Sequence, residues 1–315
     1  MIHQLATLPY WEFGPWTPID SLPWLQIHSF GTLVAIGLIV CLTMASWRGE
    51  KKLGVNGEEV QNFGIWLIVI GWIGAHVFNV IFYEPEKLLE DPIILFKVWG
   101  SISSYGGLFG GIIAVFLWKK LKERRGEDFD ILLWADHAAW TLTFAWFFGR
   151  MGCASVHDHP GARAPESWPL AFEFPDGVIR HDLGFYEMLW WSVIVITVMI
   201  LDRKPRPKGF FLAVVPIMYA PMRFILDFMR VWPESSKGQI DSNPIVDFFL
   251  DLLQVQPEVF VEHGDMRYFG FTPAQYFSIG IFMVGLYFLW KIKDKEPIEW
   301  EEYDPEQDEK RKKKD

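Results

Sequence analysis

Seven apolar stretches, at roughly 30–47, 62–83, 100–118, 131–149, 186–201, 209–229 and 270–290, constrain this chain more than any other feature. Each approaches the ~20 residues that a helix needs to cross the hydrocarbon of a bilayer. Basic residues follow alternate stretches. Arg48, Lys51 and Lys52 follow the first, and Lys119, Lys120, Lys122, Arg124 and Arg125 the third. Arg203, Lys204, Arg206 and Lys208 follow the fifth, and Lys291, Lys293 and Lys295 the seventh. The positive-inside rule then puts the N-terminus outside and the C-terminus in the cytoplasm. The expected fold class is an all-α integral membrane protein of about seven transmembrane helices, with a small outer cap containing a hairpin.

The 17 tryptophans suit interfacial belts, and the N-terminal segment 1–29, rich in Pro and Trp, suits the headgroup zone. That segment holds no Lys or Arg, so a basic signal-peptide start is missing and the N-terminus is expected to be retained. A formal net charge of −10 argues against a nucleic-acid partner. The two cysteines, Cys41 in an apolar run and Cys153 in a polar motif, imply no disulfide framework. Residues 1–295 read as one polytopic domain with outer loops at 150–185 and 230–269. Residues 296–315 read as a disordered, charged cytoplasmic tail.

On this map the unusual polar residues, Asp136 and His137 apart, gather in the outer half of the membrane. The densest cluster is Gly149–Gly161, GRMGCASVHDHPG, directly after the fourth stretch. Ionisable groups at such a depth are costly and usually functional. Tyr105, Tyr186, Glu187, His28, Gln275, His76 and Arg223 fall in the same half. Arg223, Asp227 and Arg230 are spaced i, i+4, i+7 and share one helical face. Two readings stand for that face: an Arg–Asp pair neutralised inside the bundle, or a cationic pocket that grips a phosphate through a bidentate guanidinium.

Gly106-Gly107 and Gly110-Gly111 in the third stretch form two interleaved GxxxG spacings, which suit close helix contact. Cys153, His157 and His159, with Asp158 and His181 nearby, are candidate metal ligands. Cys-x3-His-x-His is a weak spacing for zinc, and no metal or other cofactor is expected. Trp168–Asp182 has extended runs around a Pro-Asp-Gly turn signal and suits a hairpin. Pro233–Tyr268 suits an outer cap with a short helix around Ile245–Leu253.

These residues resemble the prolipoprotein diacylglyceryl transferases of bacterial inner membranes over nearly the whole length. The family signature, similar to G-R-x-G-N-F-x-N-x-E-x-x-G, is matched by Gly149, Arg150, Gly152, Asp158 and Gly161. A Phe-His-Gly-Gly-Leu element looks like Tyr105-Gly106-Gly107-Leu108. An Arg-His-Pro-x-x-x-Tyr-Glu element looks like Arg180-His181 and Tyr186-Glu187, and an Arg-x-x-x-Glu-Phe-x-Arg helix looks like Arg223, Asp227-Phe228 and Arg230. His28-Ser29-Phe30-Gly31 resembles an early His-x-Tyr-Gly element. The departures are Tyr105 for histidine, Cys153 for the first signature asparagine, loss of the second within Ala154–Val156, Phe30 for tyrosine, and His76 for an arginine.

The resemblance implies transfer of diacylglyceryl from phosphatidylglycerol to the lipobox cysteine thiol of a prolipoprotein, releasing glycerol phosphate. The partners implied are that lipid and the precursor's signal peptide. The catalytic set expected is Tyr105, Arg150, His157, Asp158 and Arg223, with Arg150, Gly161, Arg223, Arg230, Glu187 and His76 binding substrate. Because Tyr105 replaces the histidine, base duty is expected to pass to His157, leaving Tyr105 as a hydrogen-bond donor. An altered paralogue that binds lipid or precursor without transfer is the alternative. A transporter fits less well, since no internal repeat is visible.

Overall fold

The computed structural model describes residues 7–18, 26–82, 84–233, 243–255, 260–261 and 267–306. In chain order its elements are β1 (Thr7–Leu8), α1 (Ser29–Lys52), α2 (Gly57–Phe82), α3 (Pro85–Glu90), α4 (Ser104–Arg124), α5 (Ile131–Val156), β2 (Pro160–Arg163), β3 (Ala171–Glu173), β4 (Ile179–Asp182), α6 (Leu183–Leu201), α7 (Phe210–Leu226), β5 (Trp232–Pro233), α8 (Pro244–Leu252), β6 (Phe260–Val261) and α9 (Pro273–Ile292). Short 3-10 turns cover Pro92–Phe96 and Asp227–Met229. The chain is a multi-pass, helical membrane protein with a small mixed sheet.

Five helices among the described residues are long and apolar enough to cross a membrane: α1, α2, α6, α7 with its 3-10 extension to Met229, and α9. α4 and α5 have the length, at 21 and 26 residues, but not the hydropathy. The cause is visible in their sequences. α4 ends in Lys119, Lys120, Lys122 and Arg124, and α5 carries Asp136, His137 and Arg150 among tryptophans and small residues. Ile39, Val69, Ile196 and Met283 stand exposed on α1, α2, α6 and α9. Such side chains are a liability in water and a natural surface against lipid.

The contacts divide the chain into two compact units, with boundaries inside α1 and α5. In the unit built from 42–141 and 297–315, α2 packs on α4 through glycine. A Cβ at Gly106 would lie 2.5 Å from the Gly74 carbonyl oxygen, and one at Gly110 would lie 2.7 Å from that of Ile70. A Cβ at Gly107 would meet nothing nearer than 3.8 Å, and one at Gly111 nothing within 4 Å. One of the two interleaved spacings therefore makes the close approach. Phe63, Trp118, Phe129 and Trp134 close the other end of the pair as an aromatic cluster. The sequence predicts disorder from residue 296 onward. Within this unit the Tyr303 amide donates to the Glu50 carbonyl at 2.7 Å, its hydroxyl accepts from Asn56 at 3.1 Å, and Lys52 sits 4.3 Å over the Trp300 ring. Residues 307–315 lie outside the described residues.

The second unit, 1–41 with 142–296, carries the sheet. Its order is β1-β3-β4-β2. β3 and β4 pair antiparallel, with Phe172 opposite Arg180, around a turn in which Gly177 takes φ +73. Asp176 accepts from the Val178 amide and from Arg180, which holds its carboxyl below the usual range. The extended runs and the Pro-Asp-Gly turn are thus present as expected. β1 adds in parallel to β3, and β2 antiparallel to β4. Helix starts are well specified here. Asp182 caps α6 by accepting from Phe185, and Asn243 caps α8 with Pro244 in its first turn. Thr272 and Gln275 form a reciprocal capping box on α9. The core joins Leu183 and Tyr186 of α6 to Leu226, Phe228, Met229 and Trp232, and to Val246 and Leu250 of α8. α8 is the short helix expected around 245–253.

Candidate functional site

α5, α6 and α7 each bring one charged residue to a single row within the second unit. Arg150 Nε lies 2.8 Å from Glu187 Oε2, and Arg223 Nη1 lies 3.9 Å from Glu187 Oε1. Arg223 also donates to Asp227, and Arg230 Nε approaches the same carboxylate at 2.9 Å. Glu187 and Asp227 are 2 % and 1 % exposed, so neither carboxylate is solvated by bulk water. Buried carboxylates persist only with cations and donors around them. The i, i+4 spacing of Arg223 and Asp227 thus produces the pairing that one sequence reading expected. Arg230 is not on the shared helical face expected: α7 ends at Leu226, and Arg230 follows the 3-10 turn Asp227–Met229 with extended backbone.

The pairing does not exhaust the arginines. Arg150 spends Nε on Glu187 and turns Nη1 to Cys153 Sγ at 3.9 Å. Arg223 spends Nη1 on its carboxylates. A guanidinium carries five N–H donors in a fixed fork. Arg150 Nη2 and Arg223 Nε and Nη2 have no partner among the described residues, so each arginine is anchored on one edge and keeps donors for a ligand.

Two contributors to this row are hard to see in the sequence. Thr272 donates its hydroxyl to Asp227, and Arg267 Nη2 donates to the Asp227 carbonyl at 3.0 Å while stacking 3.5 Å over Trp232. Thr272-Pro273-Ala274-Gln275 is a legible capping-box signature, so the helix start was findable and its second duty was not. Gln275, expected among the converging polar groups, belongs to the box and donates to the Phe224 carbonyl at 3.1 Å.

The motif after Phe148 is more helical than the apolar pattern suggests. α5 runs on to Val156, so Arg150 and Cys153 project from a helix. His157 ends it with φ +48, a left-handed conformation common at helix ends. That turn sends His157 into an enclosure of Tyr10, Trp11, Phe172 and Phe174, whose ring centroids lie 4.5–5.8 Å away. Its Nδ1 pairs with Asp182, its side chain is fully buried, and Nε2 has no partner among the described residues. A general base must reach the proton it removes. The enclosure leaves the His157 side chain no solvent-exposed surface, which counts against the expected base role.

The next two residues face the other way. Asp158 and His159 pair with each other and are 37 % and 30 % exposed at their side chains. Their ligand atoms and Cys153 Sγ lie within 4.8 Å of one another. The structure therefore gathers Cys-x4-Asp-His where the sequence offered Cys-x3-His-x-His.

The remaining expected residues serve elsewhere. Gly161 sits where a Cβ would lie 2.7 Å from the Met229 carbonyl oxygen and 3.0 Å from that of His181, a close passage of β2 that excludes side chains. His181 is fully buried, with Nδ1 3.0 Å from the Tyr186 hydroxyl, which in turn donates to the Leu170 carbonyl. Nδ1 is then the donor, and burial pushes the imidazole down to about 4. Arg180 binds Asp176 rather than the arginine row. His76 and Tyr105 belong to the first unit. Both His76 ring nitrogens face backbone carbonyls, of Ser101 at 3.1 Å and Ile94 at 2.9 Å. Tyr105 lies in the first turn of α4, and its side chain is outside what is described.

Comparison with known proteins bears on this geometry. The family profile "Prolipoprotein diacylglyceryl transferase" matches residues 19–291. Three proteins named phosphatidylglycerol–prolipoprotein diacylglyceryl transferase are similar along most of their length. The one from Vibrio parahaemolyticus is 32 % identical over 252 residues, covering 75 % of this chain and 89 % of its own. The one from Sodalis glossinidius is 29 % identical over 276 residues, covering 76 % and 93 %. That of Acinetobacter baumannii is 25 % identical over 282 residues, covering 88 % and 92 %. With most of its length matched, the chain belongs to the prolipoprotein diacylglyceryl transferase family.

Proposed function

We propose that this protein transfers the diacylglyceryl group of phosphatidylglycerol to the lipobox cysteine thiol of a secreted precursor at the outer half of the bacterial cytoplasmic membrane. The observation that carries the reading is Glu187, which anchors Arg150 and leaves donors on both Arg150 and Arg223 for an anion. A phosphodiester offers two anionic oxygens to such forks, and bidentate guanidinium contacts are strong. In the displacement the thiolate sulfur bonds to the glycerol carbon that bears the phosphate. The C–O bond breaks with its electron pair on the phosphate oxygen, and glycerol phosphate leaves. Charge on the leaving phosphate rises from one to two, and prealigned guanidinia stabilise that change. β3 and β4 serve as the cap over the site, and seven crossings bring lipid and precursor to it from the outer side.

The enclosure of His157 and the tyrosine at 105 favour a second reading, a paralogue that binds lipid and precursor without transfer. One assay decides between them. Purified full-length protein is incubated with a lipobox peptide and phosphatidylglycerol vesicles, and thioether product and released glycerol phosphate are both measured. Transfer is expected in the natural protein, with a loss of more than about tenfold in Arg150→Ala and Arg223→Ala. Arg150→Lys should rescue poorly, because ammonium cannot make the bidentate contact. Peptide and lipid binding without any thioether establishes the paralogue reading.

A further inference from the structure

The transfer reaction needs a thiolate, and a free thiol with pKa near ~8.5 is mostly protonated at neutral pH. His157 is enclosed, and residue 105 is a phenol. Cys153 does stand beside Arg150, and Asp158 and His159 stand beside Cys153. Their ligand atoms lie within 4.8 Å of one another, and two of the three side chains are open to solvent. Sulfur, carboxylate oxygen and imidazole nitrogen are all zinc donors, and three protein ligands with an open fourth position is the arrangement of reactive zinc sites. Ligands around a tetrahedral zinc sit about 3.3–3.6 Å apart at ordinary bond lengths, so adjustments of about an ångström, with the Asp158–His159 pair opening around the ion, complete the geometry.

We propose that Cys153, Asp158 and His159 bind a zinc ion whose fourth position takes the lipobox thiol and holds it as thiolate for alkylation. The inference rests on the transfer reading given above and names how its nucleophile is made. Charge and position both support it. Zinc with one thiolate and one carboxylate is a neutral unit, and the incoming thiolate makes it singly negative beside Arg150. The Arg150 Nη1 contact with Cys153 Sγ at 3.9 Å supplies an N–H to the ligand sulfur, the kind of outer contact that orients a ligand and tunes a metal. A zinc-bound thiol is deprotonated on binding, and metal coordination is an established way to activate a nucleophile. The steps balance. The thiol proton passes to water as the Zn–S bond forms. The sulfur then bonds to the glycerol carbon, the C–O bond breaks toward phosphate, and the neutral thioether, a poor ligand, leaves the ion.

Cobalt(II) titration of the chelator-treated full-length protein in detergent tests the site without relying on turnover. One cobalt per chain is expected, with a near-ultraviolet sulfur-to-cobalt charge-transfer band and the intense visible bands of tetrahedral cobalt. Cys153→Ser should abolish the near-ultraviolet band, and Asp158→Asn and His159→Gln should each weaken binding about tenfold or more. A lipobox peptide should raise that band about twofold in the natural protein, and its Cys→Ser counterpart should not. This arm needs no variant of the protein to fold. No thiolate band at micromolar cobalt, or a band that survives in folded Cys153→Ser, overturns the inference. Transfer that continues in metal-free protein overturns the zinc role and leaves the transfer reading standing. Metal and peptide thiol bound together without any thioether formed leaves the metal–thiol site standing and removes the transfer reading.

Discussion

Glu187 shows what one buried carboxylate does at the site. It is shared by two guanidinia from different helices, so its charge fixes the position of both. Glu187→Gln keeps the shape and removes the charge, leaving Arg150 without its only charged partner among the described residues. Breaking a buried ion pair from one side costs about 3–5 kcal/mol. The expected outcome is a lower melting temperature in detergent, partly restored by phosphatidylglycerol, whose phosphate replaces the lost anion. An unchanged melting temperature would show that Glu187 is not the counter-ion. His181 gives a second test. Its ring is held neutral by burial, with Nδ1 donating to Tyr186 and Nε2 facing no acceptor among the described residues. The folded value of about 4 lies below the ordinary ~6.5, so the unfolded chain binds the extra proton first. The stabilisation is complete above pH ~6.5 and drains away as pH falls toward 4, by on the order of 3 kcal/mol. In His181→Gln the melting temperature should fall less steeply across that window than in the natural protein.

Among the elements, α4 separates two kinds of glycine on one helix. Gly106 and Gly110 face carbonyl oxygens of α2 at distances no Cβ tolerates, while a Cβ at Gly107 would make ordinary contact and one at Gly111 would meet open space. Gly106→Ala and Gly110→Ala should each destabilise by about 1–3 kcal/mol, as overpacking does. Gly107→Ala and Gly111→Ala should be neutral or slightly stabilising, since alanine is the better helix former by about 1 kcal/mol. Thermal melts of the four variants separate the two pairs, and equal losses would mean that glycine serves chain flexibility there instead. The sequence displayed both GxxxG spacings but not which one meets α2, because that depends on helix rotation. The same division runs through the site. Arg223 and Asp227 were legible together because helical spacing is local, while Arg230 reaches the same carboxylate from beyond the helix end. The enclosure of His157 was not, because Tyr10 and Trp11 come from some 150 residues upstream and β3 supplies Phe172. The pairing of Asp158 and His159 with Cys153 was hidden for a related reason. It depends on α5 continuing through Arg150 to Val156, where the apolar pattern stops at Phe148.

For the whole molecule the open quantity is how many times the chain crosses the bilayer. Five helices satisfy length and hydropathy, and α4 and α5 satisfy length alone. These two are consecutive, so including or omitting them leaves the number of crossings odd and the termini on opposite sides. The basic flanks decide between the counts. Lys119, Lys120, Lys122, Arg124 and Arg125 lie at the end of α4, and the positive-inside rule counts lysine and arginine even where acids pair with them, as Glu59 and Glu127 do with Lys122. Seven crossings put that cluster in the cytoplasm with the other basic flanks, whereas five would leave it outside. Reporter fusions measure this directly. A fusion at Lys208 should report cytoplasm and one at Pro165 the outside under either count, so these two fix the orientation. A fusion at Arg125 should report cytoplasm if α4 and α5 cross, which would also place Arg150 near the outer face. A signal from outside at Arg125, with the other two unchanged, would reduce the crossings to five.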